Sequence, residues 1–181
     1  MANSWSGLRK ILEKDLLCQS LQGRVQYFMT YYHGAPDQFG RFSVRVDGKE
    51  VLWVNPYNEG LFFEYANELQ NEQGIPEREW NGRKFLYDEE NTQIEKEAAD
   101  MMMQKGTMDI WQITDAIHQY RQSDIQTAIY SENSVVRMFA ILDRRVGKRT
   151  LQKQTKVIEE QPEWLQFFYK LRLQADGVEL T

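Results

Sequence analysis

The residues able to do chemistry are few and widely spaced in this sequence. A metal centre needs clustered His, Cys or carboxylate ligands at compatible spacings. Here only His33 and His118 occur, distant from each other, with a single cysteine, Cys18. Asp115 lies three residues before His118 on an expected helix, close enough for a surface contact. Cys18 with either histidine has the composition of a nucleophile–base pair, whose members need only meet in space. No local signature surrounds it, and a buried cysteine commonly behaves as a small apolar residue. Gly147-Lys148-Arg149-Thr150 resembles the end of a phosphate-binding loop. That reading fails, because Leu142 stands where the first glycine belongs and Arg149 where the magnesium-binding hydroxyl belongs. The neighbouring acids Glu89-Glu90 and Glu159-Glu160 point about 100° apart on a helix, which suits solvated faces better than acid–base catalysis. Met101-Met102-Met103 sits in a helical pattern with Ile94 and Ala98, so at least one methionine is expected to face the core. No catalytic, cofactor-binding or metal-ligating residue is assigned, and no cofactor is expected.

The charge pattern is more informative. The chain carries a net −5 over 181 residues, with a pI of about 5.2. From Glu59 to Asp100, twelve acidic residues face four basic ones, a net of −8. From Arg137 to Lys156, seven basic residues face Asp143 alone, a net of +6, which leaves −11 on the rest of the chain. If this second segment is helical, Arg144 and Lys148 align at i, i+4, as do Arg145, Arg149 and Lys153. Arg144, Arg145, Lys148, Arg149 and Lys153 therefore form the candidate interaction patch. Arginine forks there suit phosphate or carboxylate groups on a partner. They also suit internal pairing, either with the acidic 59–100 region or with Asp143, and the helix dipole favours cations late in a helix.

The elements that must position these residues read clearly in part. Ser4 or Ser6 caps a first helix with Leu8, Ile11, Leu12 and Leu16 at helical spacing. The β-rich run 25–32 reads as a strand, followed by a loop over 33–40. Phe42, Val44 and Val46 alternate with polar residues, and Asp47-Gly48 predicts a two-residue type I′ hairpin into Val51–Val54. Asn55-Pro56 is expected to open a helix carrying Leu61, Phe62, Tyr65 and Leu69, with a connector over 74–87. Helices are then expected over about 91–105, 108–121 and 123–129, the last capped by Ser123. One capped by Ser131 or Asn133 follows, and another opens at Pro162-Glu163-Trp164 and closes near Gly177. Strands grouped ahead of helices indicate an α+β fold. It comprises an N-terminal helix, a three-stranded antiparallel sheet and a C-terminal bundle of about six helices. A chain of this length fits a single domain, with a helix–sheet–helix lobe over 1–73 and a helical lobe over 88–181 packed on it. Hydrophobic residues at 41% are enough for an ordered core. With no long apolar run, no export signal and one cysteine, a cytoplasmic protein without membrane contact is expected.

Several motifs together carry a resemblance. They are Gly23-Arg24-Val25-Gln26-Tyr27-Phe28, Val46-Asp47-Gly48-Lys49-Glu50-Val51, the run from Leu142-Asp143-Arg144-Arg145-Val146-Gly147 to Leu151, and Pro162-Glu163-Trp164. As a set they resemble a bacterial family of conserved proteins of unknown function, across nearly the whole chain. The resemblance implies a bacterial, cytoplasmic, single-domain protein and transfers no catalytic residue. The functional expectation is a non-enzymatic protein-interaction protein, of adaptor or immunity type. A first alternative is an RNA- or nucleotide-binding module using the basic segment with Trp53 and Tyr57. The acidic pI counts against nucleic acid. A second alternative is an enzyme assembled from residues such as Tyr27, His33, Asp37 or Arg41.

Overall fold

The computed structural model describes residues 4–31, 40–54 and 58–179. Its architecture is α+β, with an N-terminal helix, a three-stranded antiparallel sheet in the order β1-β2-β3, and then a series of helices. The 33–39 loop, the Asn55-Pro56 cap, and His33, Asp37 and Tyr57 lie outside the described residues.

The Ser4 side chain accepts from the Gly7 amide and starts α1 (Trp5–Lys10), which widens into a π-helical segment, Ile11–Leu16. Trp5, Leu8, Leu12 and Leu16 turn toward the sheet. Strands β1 (Val25–Tyr31), β2 (Gly40–Val46) and β3 (Lys49–Val54) follow. Val25, Tyr27 and Met29 are buried on β1, as the two-residue strand period requires. Asp47 and Gly48 have φ of 51° and 80°, so both central turn positions are left-handed and Val46 pairs Lys49, as in a type I′ hairpin. Edge strand β1 is protected where Glu13 accepts the Tyr27 amide at 2.7 Å. On the other face of the sheet, the Phe28 ring lies between the Arg9 and Arg45 guanidinium groups at 4.6 and 4.3 Å.

Beyond the sheet come α2 (Asn58–Gln73), α3 (Glu89–Lys105), α4 (Ile110–Gln122) and α5 (Ile125–Ile129), then α6 (Ser134–Ile141), α7 (Lys148–Gln154) and α8 (Glu163–Ala175). Most are capped as their flanking residues dictate. Asp88 caps α3, Asp109 forms a capping box with Gln112, and Asn133 caps α6. The short helix α5 is capped by Asp124 rather than Ser123. The Asp124 carboxylate accepts from Gln126 and Thr127, while the Ser123 hydroxyl closes α4 by donating to the Gln119 carbonyl. Gly106 ends α3 at φ 73°, where a Cβ would stand 3.0 Å from the Trp164 ring. Trp164 in turn donates its indole N–H to the Met103 carbonyl at 2.7 Å, fastening α8 to α3.

The principal core joins the sheet to α4, α5, α6 and α8. At its centre Phe139 packs on Tyr27 and stacks on Tyr120, with ring centroids 5.4 and 5.5 Å away. Met102 is the fully buried member of the methionine run. A separate small cluster, built on Ala66, Ile94 and Ala98 with Phe62, Tyr65, Leu69 and Ile75 around them, holds α2 against α3.

Candidate interaction surface

The basic segment is not one helix. After α6 ends at Ile141, the chain turns through Leu142–Gly147 and restarts as α7 at Lys148. The turn is specified by Asp143, which is only 1% exposed. Its carboxylate accepts from the Arg145 amide at 2.7 Å and from the Arg145 guanidinium at 2.6–3.1 Å, and it takes a short bond from the Tyr120 hydroxyl. A buried carboxylate is tolerable only with such pairing. The expected row Arg145, Arg149, Lys153 therefore breaks at its first member, because Arg145, although partly exposed, is tied down against Asp143 and the Tyr120 ring. Arg144 likewise sits in the turn, out of helical register with Lys148.

The turn is held from behind by Arg172 of α8, which is 2% exposed. Its guanidinium donates to the carbonyls of Asp143 at 2.8 Å, Val146 at 3.0 Å and Ile141 at 3.4 Å. Asp176, one helical turn on, neutralises it at 3.0 Å. The chain N-terminal to β1 is stitched to the same turn. The Cys18 amide donates to the Leu142 carbonyl at 2.9 Å and the Arg144 amide to the Leu16 carbonyl at 2.8 Å. The carbonyls of Ile141, Leu142, Asp143 and Val146, which a buried turn would strand, are thus given partners.

On this platform the remaining cations point outward. Arg144, Lys148, Arg149, Lys153 and Lys156 are exposed, and among the described residues none of them makes an ion pair. Leu151 and Gln154 are buried beneath α7, so Arg149 and Lys153 keep their four-residue spacing on its outer side. Among the described residues no ion pair joins this segment to the acidic region, where Arg78 pairs with Glu95 instead. Internal pairing in the segment is the Asp143–Arg145 contact.

Beside the turn lies an open polar groove of about 730 Å³, lined by Cys18, Ser20, Gln22, Arg144, Arg172 and Asp176. The Ser20 hydroxyl donates to Asp176 at 2.6 Å and lies 3.3 Å from the Cys18 sulfur. Asp176 is already engaged by Arg172 and Ser20. His118 is exposed on α4 and contacts Gln122 at 2.9 Å rather than Asp115. Tyr27 faces the core, whereas Arg41 is exposed and paired with Glu50. Among the described residues no group of three His, Cys, Asp or Glu side chains is placed to hold a metal ion, and no helix is long and apolar enough to cross a membrane.

Three buried tyrosines set an alkaline limit on the fold. Burial raises the Tyr169 hydroxyl to about 12, outweighing the neighbouring Arg137 guanidinium. Burial also raises Tyr27 and Tyr120, and the Asp143 charge adds to both. A phenol whose folded pKa is raised contributes stability that is complete below the unfolded value, about 10, and is lost as pH rises toward the folded one. Three of the nine tyrosines should therefore ionise only together with unfolding. A spectrophotometric titration should show the last rise in tyrosinate coinciding with loss of helical circular dichroism. Ionisation of all nine with the helical signal intact would contradict this assignment.

The sequence reading missed Arg172, Tyr120 and Asp176. A charge at position 172 amid Phe168, Tyr169, Leu171 and Leu173, followed by Asp176 at i+4, is the signal that marked a buried arginine. The resemblance motifs fall on these fastenings: Arg24 pairs Asp47 at the hairpin, Asp143 orders the turn, and Trp164 locks α8. Comparison with curated proteins and with solved structures yields no match. The profile of the SF0329 protein family matches residues 4–173, nearly the full length, and the chain belongs to that family.

Proposed function

We propose that this is a non-enzymatic interaction protein, of adaptor or immunity type, that presents a cationic surface to an acidic protein partner. One observation carries the reading: Arg144, Lys148, Arg149 and Lys153 are exposed and without ion pairs among the described residues, on a turn and helix held firm from beneath. Free cations on a preorganised support gain more from a partner than they lose in ordering. Nucleic acid fits less well, because the rest of the chain carries −11 and repels a long polyanion. An enzyme fits less well, because Tyr27 and Arg41 lie on different faces and His118 stands apart from Cys18 and its groove. A bacterial cytoplasmic setting accords with the free, buried Cys18 and with the motif resemblance.

A photo-crosslinking side chain placed at exposed Gln152, on α7, tests the reading in the native cell. A discrete protein adduct is expected, and it should disappear when Arg149→Glu and Lys153→Glu are added. Absence of any adduct, or an adduct sensitive to nuclease, would overturn it.

A further inference from the structure

The same chain carries a surface complementary to α7. Helices α2 and α3, with the connector between them, form an arm held together by its own small cluster. Large apolar side chains stand exposed along it: Phe63 at 56%, Trp80 at 54%, Phe85 at 60% and Tyr87 at 81%. Trp80 and Phe85 pack edge-on at 5.0 Å, so they form a shaped patch rather than scattered residues. A groove of about 320 Å³ opens beside them, lined by Phe62, Phe63, Phe85, Ile94 and Arg78. In it, the Arg78 Nε is buried without a hydrogen-bond acceptor among the described residues.

Along α2, Glu64, Glu68 and Glu72 are exposed at four-residue spacing. They form one row with about 6 Å per step. Like charges at i, i+4 repel, so this row favours a cationic neighbour. Arg149 and Lys153 on α7 have the same spacing and the opposite sign. Neither row is neutralised within the chain among the described residues. Exposed ion pairs contribute little individually, but several in one register fix the orientation and choice of partner.

We infer that the acidic partner of α7 is the α2–α3 arm of a second copy of this chain. The inference rests on the proposed function and names the partner of that same surface. Because each copy carries both surfaces, reciprocal docking closes a two-fold dimer, whereas one-sided docking propagates a chain.

Sedimentation equilibrium of the full-length protein at low ionic strength tests it. The wild type should associate with increasing concentration and dissociate on adding salt. Arg149→Glu/Lys153→Glu and, separately, Glu64→Lys/Glu68→Lys should each weaken association by about tenfold or more. An equimolar mixture of the two variants should restore it, since the reversed surfaces are again complementary. Circular dichroism should show both variants folded. A wild type that stays monomeric at low salt, or a mixture no tighter than either variant alone, would overturn the inference. A crosslink from Gln152 to an unrelated protein would do so too, while leaving the proposed function standing.

Discussion

Replacing Arg172 with methionine should lower the free energy of unfolding by about 3–5 kcal/mol. The guanidinium is buried and supplies donors to three carbonyls of the Ile141–Val146 turn, none of which methionine can satisfy. For a chain of this size, about 1 kcal/mol moves the melting midpoint by roughly 2–4 °C, so a drop on the order of 10 °C is expected. Arg172→Lys should recover less than half of the loss. It keeps a charge near Asp176, but a single ammonium cannot span carbonyls that Arg172 reaches with separate nitrogens. Thermal melts followed by circular dichroism check both variants. A methionine variant melting within a few degrees of wild type would refute the role assigned to this arginine.

Arg145→Met should cost about 3 kcal/mol, because among the described residues it leaves the buried Asp143 carboxylate with only the Tyr120 hydroxyl and the residue-145 amide. Asp143→Asn alone should cost about 1–3 kcal/mol, since one amide oxygen replaces two charged acceptors. The double variant should be more stable than the sum of the two predicts, with a coupling of about 1–3 kcal/mol. Additive losses in a urea titration of all four proteins would show that the pair is not a unit. In contrast, Arg149→Glu/Lys153→Glu should stay within about 0.5 kcal/mol of wild type, because both side chains are exposed and unpaired among the described residues. The basic segment is thus divided between turn scaffold and free surface.

The hairpin and several helix limits were legible because their causes are local. Asp47-Gly48 supplies the positive φ that a type I′ turn needs, Asn133 caps α6 with its side chain, and Gly106 ends α3 in the left-handed region. The break in the basic segment was not legible. Helical spacing from Arg144 to Lys153 is satisfied in one dimension, and only a carboxylate buried between Tyr120 and Arg145 ends the helix before it. The exposed aromatics of the arm were equally hidden, since Phe63 and Phe85 have the composition of core residues.

The sequence by itself determined the α+β order, the sheet register at the hairpin and the segregation of charge. These follow from side-chain period, turn chemistry and composition, none of which needs a distant partner. Tertiary structure alone decided which cations are paired and which, among the described residues, are not. Arg145 and Arg144 are adjacent and chemically alike, yet one closes on a buried carboxylate while the other lines an open groove. That division depends on Tyr120 from α4 and Arg172 from α8 converging on one turn, a long-range juxtaposition that no local pattern encodes.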